Sequence, residues 1–244
     1  MITNNIVKKM EKGETARGCV LVFPSAELVE LLGIAGFDFI HVDGEHGSFS
    51  PDSVDAMCHA AAGSGLTTTA RVPSLDPSVI NQFLDRGVLG IVGPHIETAE
   101  QARSLASACR FGPRGDRSWG AGRGTLYNDP ASVEDRGGSR ARLMDRVNSQ
   151  MLVVAQLETV TAIDNLEAIL DVEGIDAFTY GPNDLAQSMG LPGQPAHADV
   201  VKLMRTTTAR IHLAGRKMQS DIQETVYAPA LILDAARRFL NGSR

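Results

Sequence analysis

The segments FDFIHVDG (37–44), DSVDAMCHAAAGSG (52–65), TTTARV (67–72), DPSVINQFLDRG (76–87) and LGIVGPH (89–95) decide the fold. The first, third and fifth are short, apolar or β-branched, and read as strands. The second opens on an Asp cap after Pro51 and ends in glycines. The fourth has Asp at the cap, Pro at the first helical position and Gly at its end, so both read as helices. Strand and helix therefore alternate, which implies a parallel sheet covered by helices.

The alternation extends in both directions. GCVLVF (18–23) reads as a strand and AELVELLGIAG (26–36) as its helix; TAEQARSLASACR (98–110) is a further helix. LVVAQLE (152–158) and IDAFTYGP (175–182) are strands, followed by the helices 161–172 and 197–215. KMQSDI (217–222) is read as a seventh strand and APALILDAARRFL (228–240) as the last helix. Six or seven βα units favour a TIM-type (β/α)8 barrel over an open doubly wound sheet. Neither GxGxxG after the first strand nor GxxxxGK[ST] occurs, so dinucleotide and P-loop chemistry are not indicated. The stretch 111–150 is rich in Gly, Arg and Ser and lacks clear periodicity. No linker-like boundary interrupts the chain, and residues 1–244 are read as one barrel domain.

Composition narrows the class. Of 244 residues, 43% are hydrophobic and 21% charged, which argues against disorder. The net charge of −6 argues against nucleic acid as a partner. No apolar run is long enough for a membrane span, and the opening residues lack a signal-peptide core, so a cytoplasmic protein is expected. Cys19, Cys58 and Cys109 are odd in number and widely spaced, and read as buried small residues.

In a barrel, chemistry gathers at the C-terminal ends of strands. Here those ends carry Asp43, Glu45 and His46, then Arg71, His95, Gln156 with Glu158, and Asn183 with Asp184. Each alone could cap a helix or sit in a satisfied polar contact. Together at one rim, unneutralised carboxylates would destabilise one another. Glu158 and Asp184 end adjacent strands, about 5 Å apart, and call for a hard cation between them: Mg²⁺ or Mn²⁺, with Co²⁺ a third candidate. Arg71 offers a planar fork for a carboxylate or oxyanion. His46 can move a proton near neutral pH, and Asp85 is a candidate to orient it. Asp43 and Glu45 are expected to hold Arg71, metal waters or a subunit contact. His41, His59, His197 and His212 read as structural or surface residues, and His95 as a supporting rim residue. Arg114, Arg117, Arg123 and Trp119 lie on a loop read as solvated, as a subunit contact, or as a cover for an acidic substrate.

FDFIHVDGEHGSFS, ARVPSLDPSVINQFLDRGVLGIVGPHIETAEQA, FGPRGDRSWG, QLET and GPNDLAQSMG, in this order, resemble the HpcH/HpaI family of metal-dependent (class II) pyruvate aldolases. That family includes 4-hydroxy-2-oxoheptanedioate aldolase and 2-dehydro-3-deoxyglucarate aldolase. The resemblance covers about Gly18 to Gly215. It implies a barrel of the phosphoenolpyruvate/pyruvate kind, assembled as a homohexamer, a trimer of dimers. It implies Glu158 and Asp184 as metal ligands, His46 as the catalytic base assisted by Asp85, and Arg71 at the pyruvyl group and enolate. It implies Gln156 as a substrate contact. Asn183 stands where the family has a small residue whose backbone N–H meets the substrate carboxylate. The implied reaction is reversible aldol cleavage of a 4-hydroxy-2-oxo acid to pyruvate and an aldehyde, with no Schiff-base lysine. The same scaffold also hosts citrate-synthase-like condensation and decarboxylation, and a non-catalytic paralogue is a third reading. The chain departs from the family after KMQSDI: family members usually have another helix and an eighth strand before the last helix, and roughly twenty residues of such a unit are missing here. An incomplete or altered C-terminal unit is therefore expected.

Overall fold

The computed structural model describes residues 2–242. Its strands are β1 (Ala16–Leu21), β2 (Phe39–Asp43), β3 (Thr67–Arg71), β4 (Gly90–Gly93), β5 (Leu152–Leu157), β6 (Ala177–Tyr180) and β7 (Gln223–Tyr227). They form one parallel sheet in the order β6-β5-β4-β3-β2-β1-β7. The sheet curls into an incomplete TIM-type barrel. Strands buried on both faces need apolar residues at successive positions, and β4 and β5 are buried throughout. On the outer face Ile40, Val42, Ala70, Ile91 and Ala155 pack against the helices. On the inner face Phe39, Val92, Leu152, Val154 and Ala177 pack together.

Local chemistry sets the helix starts. Ser50 caps the helix Pro51–Gly63 in a reciprocal contact with Ser53, so the cap lies two residues before the expected Asp52. Asp76 caps Pro77–Asp85 and Thr98 caps Ala99–Ala108. A short helix, Asn5–Met10, that periodicity did not indicate closes the N-terminal end of the barrel. Ile6 enters the inner cluster, while the Asn4 amide donates to the carbonyls of Leu89 and Gln150. The expected helix 161–172 is two pieces, Val160–Asp164 and Leu166–Leu170. The stretch 111–150 is more regular than its composition suggests: Pro130–Gly137 and Arg140–Gln150 are helices, and Leu143 and Val147, one turn apart, bury against Phe111.

The largest correction concerns the seventh strand. Residues 217–222 do not form it. Met218 makes a single parallel bridge to Phe178, and the Phe178 N–H donates to the Lys217 carbonyl at 2.9 Å. The chain then turns through a 3-10 segment, Gln219–Asp221. The Asp221 carboxylate accepts the Met218 N–H at 2.7 Å and pairs with His212 at 2.8 Å, pulling the backbone out of extension. The strand resumes at Gln223 beside β1. A parallel return through a helix needs a dozen or more residues, and only four separate Met218 from Gln223. The stave beside β6 is thus reduced to one residue, and the barrel wall is thin at that point.

Tight packing inside the barrel gives a stability test. A Cβ on Gly18 would overlap the Phe39 ring. Phe39 is wholly buried, so Gly18→Ala is expected to destabilise the fold by about 1–3 kcal/mol through overpacking. Denaturant unfolding checks this; unchanged stability would mean the inner layer is loosely packed.

Candidate active site

The loop after β2 is organised by Asp43, which is 2% exposed. Its Oδ1 accepts the backbone N–H groups of Glu45 (3.2 Å) and His46 (3.1 Å). The same carboxylate grips Arg71 at the end of β3, taking Nε at 3.1 Å and Nη2 at 2.6 Å. Gly44 lets the two strand ends approach: its N–H donates to the Arg71 carbonyl, and a Cβ there would lie 2.7 Å from that oxygen. Burial works against ionisation of Asp43, but the Arg71 hydrogen bonds and charge and the backbone donors outweigh it and hold the carboxyl below its usual range. Arg71 is likewise held charged by Asp43 and Glu45 against its own desolvation.

From Arg71 the side-chain contacts continue along the rim. Arg71 Nη1 lies 3.1 Å from Glu45 Oε2. Glu45 Oε1 lies 3.2 Å from His95 Nε2, and His95 Nδ1 lies 3.0 Å from Glu158 Oε1. His95 follows β4 with a positive φ of 51°, a left-handed conformation uncommon outside glycine but adopted by His, Asn and Asp more often than by other residues. It aims the His95 N–H at Glu158 Oε1, 2.7 Å away. Gln156 Nε2 donates to the other carboxylate oxygen at 2.7 Å. Glu158 is 1% exposed. Burial pushes its carboxyl above the ordinary range; His95 opposes this, and the charges of Asp184 and Glu45 add to it.

Asp184 stands in the first turn of the helix Pro182–Ser188, with Asn183 exposed beside it. Gly181, just before, is required by contact: a Cβ there would overlap Glu158 Oε2 and lie 2.8 Å from Gln156 Nε2. Asp43, Glu45, Arg71, His95, Gln156, Glu158 and Asp184 thus gather at one edge. His46 lies on the same edge, exposed. Asp85 does not join them within one chain. It ends the helix Pro77–Asp85, at the opposite edge of the sheet, and faces Arg117 Nη2 at 3.4 Å. Arg117 is itself buried, 4.5 Å over the Phe111 ring, and is not a solvated loop residue. Among the described residues no three His, Cys, Asp or Glu side chains converge as a ready metal cage.

Two contributions escaped the sequence reading. His95 is the link between Glu45 and Glu158, although only its rim position was legible. His41 lines the barrel interior and hydrogen-bonds Thr69, so it is neither isolated nor on the outer surface. The strand period of two, counted back from Asp43, was the available signal.

The model of a known family, HpcH/HpaI aldolase/citrate lyase, matches residues 19–243. The chain belongs to this family. A 4-hydroxy-2-oxovalerate aldolase of Rhodococcus jostii is 36% identical over 87% of this chain and 79% of its own length. A 2-keto-3-deoxy-L-rhamnonate aldolase of Shigella sonnei is 34% identical over 88% of this chain and 78% of its own. The crystal structure of a family protein from Burkholderia cenocepacia superposes with a TM-score of 0.85 at 26% identity, covering 98% of this chain and 99% of that one.

Gly181 offers a test of the geometry that these family members share a scaffold for. Gly181→Ala would overlap Glu158 Oε2 and also stand 2.9 Å from Glu158 Cβ, so both the carboxylate and the backbone that carries it must give way. The expected outcome is a lowered melting temperature together with turnover reduced on the order of 10²-fold, the usual effect of displacing a positioned group by about 1 Å. Wild-type turnover would show that Glu158 has no fixed task.

Proposed function

We propose that the protein is a carbon–carbon lyase that cleaves a 4-hydroxy-2-oxo acid reversibly to pyruvate and an aldehyde. One observation carries the reading. Arg71, clamped by a buried carboxylate, and Glu158, a nearly inaccessible carboxylate, influence each other across one rim. Such a rim suits a 2-oxo acid, which presents a carboxylate and a keto oxygen side by side. The two aldolase-named relatives support the same reaction type.

A divalent cation fits the donor set. Glu158 is pushed towards protonation by burial and by its acidic neighbours, and a cation would relieve that excess of negative charge. The ligands would be Glu158 and Asp184, both oxygen donors, which favours Mg²⁺ or Mn²⁺. When bound, such an ion supplies Lewis acidity at the keto oxygen of the substrate.

The chain's own residues divide the remaining work. The Arg71 guanidinium neutralises charge as the enolate forms. Gln156 and the Asn183 backbone orient the 2-oxo acid. His46 takes the proton of the C4 hydroxyl, the C3–C4 bond breaks, and its electron pair becomes the pyruvate enolate. Protonation at C3 then gives pyruvate. Asp85 lies at the far edge of the same sheet, so it can assist His46 only from a second copy of the chain, in keeping with a homo-oligomer.

Incubation with pyruvate, Mg²⁺ or Mn²⁺ and a panel of aldehydes is expected to yield 4-hydroxy-2-oxo acids. Excess EDTA should abolish the reaction, and either cation should restore it. Full activity in EDTA would contradict the role of Glu158 and Asp184. A requirement for a coenzyme A thioester in place of an aldehyde would contradict the aldolase reading.

A further inference from the structure

At the N-terminal edge of the sheet, opposite the rim, lies a second cavity of about 420 Å³. The start of the helix Asn5–Met10, the residues leading into β3 and β4, and the loop 117–126 enclose it. Two arginines line it, Arg117 and Arg123, and none of its lining residues is acidic. Both are seated by glycines. A Cβ on Gly87, whose φ of +100° also favours glycine, would lie 2.7 Å from Arg123 Cδ. A Cβ on Gly124 would lie 2.8 Å from Arg117 Nη2. Neither positive charge is well matched. Arg117 is buried, and its contact with Asp85 at 3.4 Å is longer than charged hydrogen bonds usually are. Burial pulls Arg117 below the ordinary arginine range, and Asp85 offsets this only in part. Arg123 is half-buried. Among the described residues no carboxylate pairs with it, and its Nε has no hydrogen-bond partner. Cys58 lines the same cavity, but burial pushes its thiol up to about 12, so it supplies no negative charge.

We propose that this cavity is an oxyanion site, separate from the rim, for a small molecule carrying a phosphate or carboxylate group. Arg123 makes the contact, because its planar fork matches such a group at two points. Arg117 is closed to solvent and acts through its charge, which the apolar walls formed by Leu84, Val88 and Val147 screen only weakly. Thr3 adds an exposed hydroxyl at the same cavity. The net charge of −6 disfavours anions over the surface at large, so a cavity with two arginines and no acid stands out as a place for one. Arg71 and Glu158 lie at the other edge of the sheet, so the occupant is a ligand other than the substrate. The inference does not depend on which reaction the rim performs.

The test is calorimetric titration of the full chain with inorganic phosphate. EDTA is present so that no metal recruits the anion, and chloride keeps the ionic strength constant, because salt screens such contacts. Wild-type protein is expected to bind phosphate saturably. In Arg123→Gln the affinity should fall by roughly tenfold to a hundredfold, the worth of hydrogen bonds to a charged group. Arg123→Lys keeps the charge without the fork and should fall between the two. Ala62 is an exposed residue of the same cavity, so its replacement spares the fold. Ala62→Glu should weaken phosphate binding by about threefold, the usual scale of a partly exposed charge pair, and Ala62→Lys should strengthen it by a similar factor. Phosphate held at Arg71 instead would be insensitive to all four variants. Absence of saturable binding by the wild-type chain, or wild-type affinity in Arg123→Gln, overturns the site. If Arg123→Gln does not fold, equal affinity in Ala62→Glu and Ala62→Lys overturns it.

Discussion

The pair of hydrogen bonds between Asp43 and Arg71 is the contact on which the rest of the rim depends. It joins the C-terminal ends of β2 and β3 across a nearly dry interface. The same carboxylate orders the Glu45 and His46 backbone. Through Glu45 and His95 the ordering reaches Glu158 on β5. A buried pair of this kind is not a dependable source of stability, because desolvation offsets its attraction, but losing one partner strands a buried charge. Its contribution here is to fix where the Arg71 fork points. In the proposed reaction the guanidinium would be held ready before any substrate charge develops, which is the condition under which electrostatic stabilisation is most effective.

Much of this was legible in the sequence, for physical reasons that differ by residue. Strands β2 to β5 were readable because burial on both faces demands runs such as FIHVD and LVVAQL. Their helices were readable because Asp76 and Thr98 are good caps. The rim residues followed from the strand ends alone. KMQSDI misled because its composition suits extension, while the Asp221 carboxylate bonds the Met218 N–H and closes a turn. That is a local competition a pattern cannot show. The helices at 130–150 were hidden by Gly, Ser and Arg, although Leu143 and Val147 carried a one-turn spacing.

Asp85 illustrates a different limit. Its residue type and its place in the motif suit a partner for His46, yet a helix following β3 runs back towards the N-terminal edge of the sheet. Topology therefore separates the two side chains in one chain, and Arg117 takes the carboxylate. His41 was hidden in the opposite way: it looked isolated in sequence, and only the neighbouring strand supplies Thr69. Beside the one-residue stave at Met218, that interior residue lines a cavity of about 400 Å³.

The central claim is that the rim makes pyruvate enolate with Arg71 aimed at its growing charge. Exchange of pyruvate methyl protons with deuterated solvent, followed by NMR in the presence of Mg²⁺ or Mn²⁺, tests it without knowledge of the aldehyde. Arg71→Lys keeps the charge beside Asp43 but loses the two-point fork. The account predicts exchange slowed on the order of 10²–10³-fold, the usual cost of losing one preorganised oxyanion donor. Exchange at the wild-type rate in Arg71→Lys would contradict it.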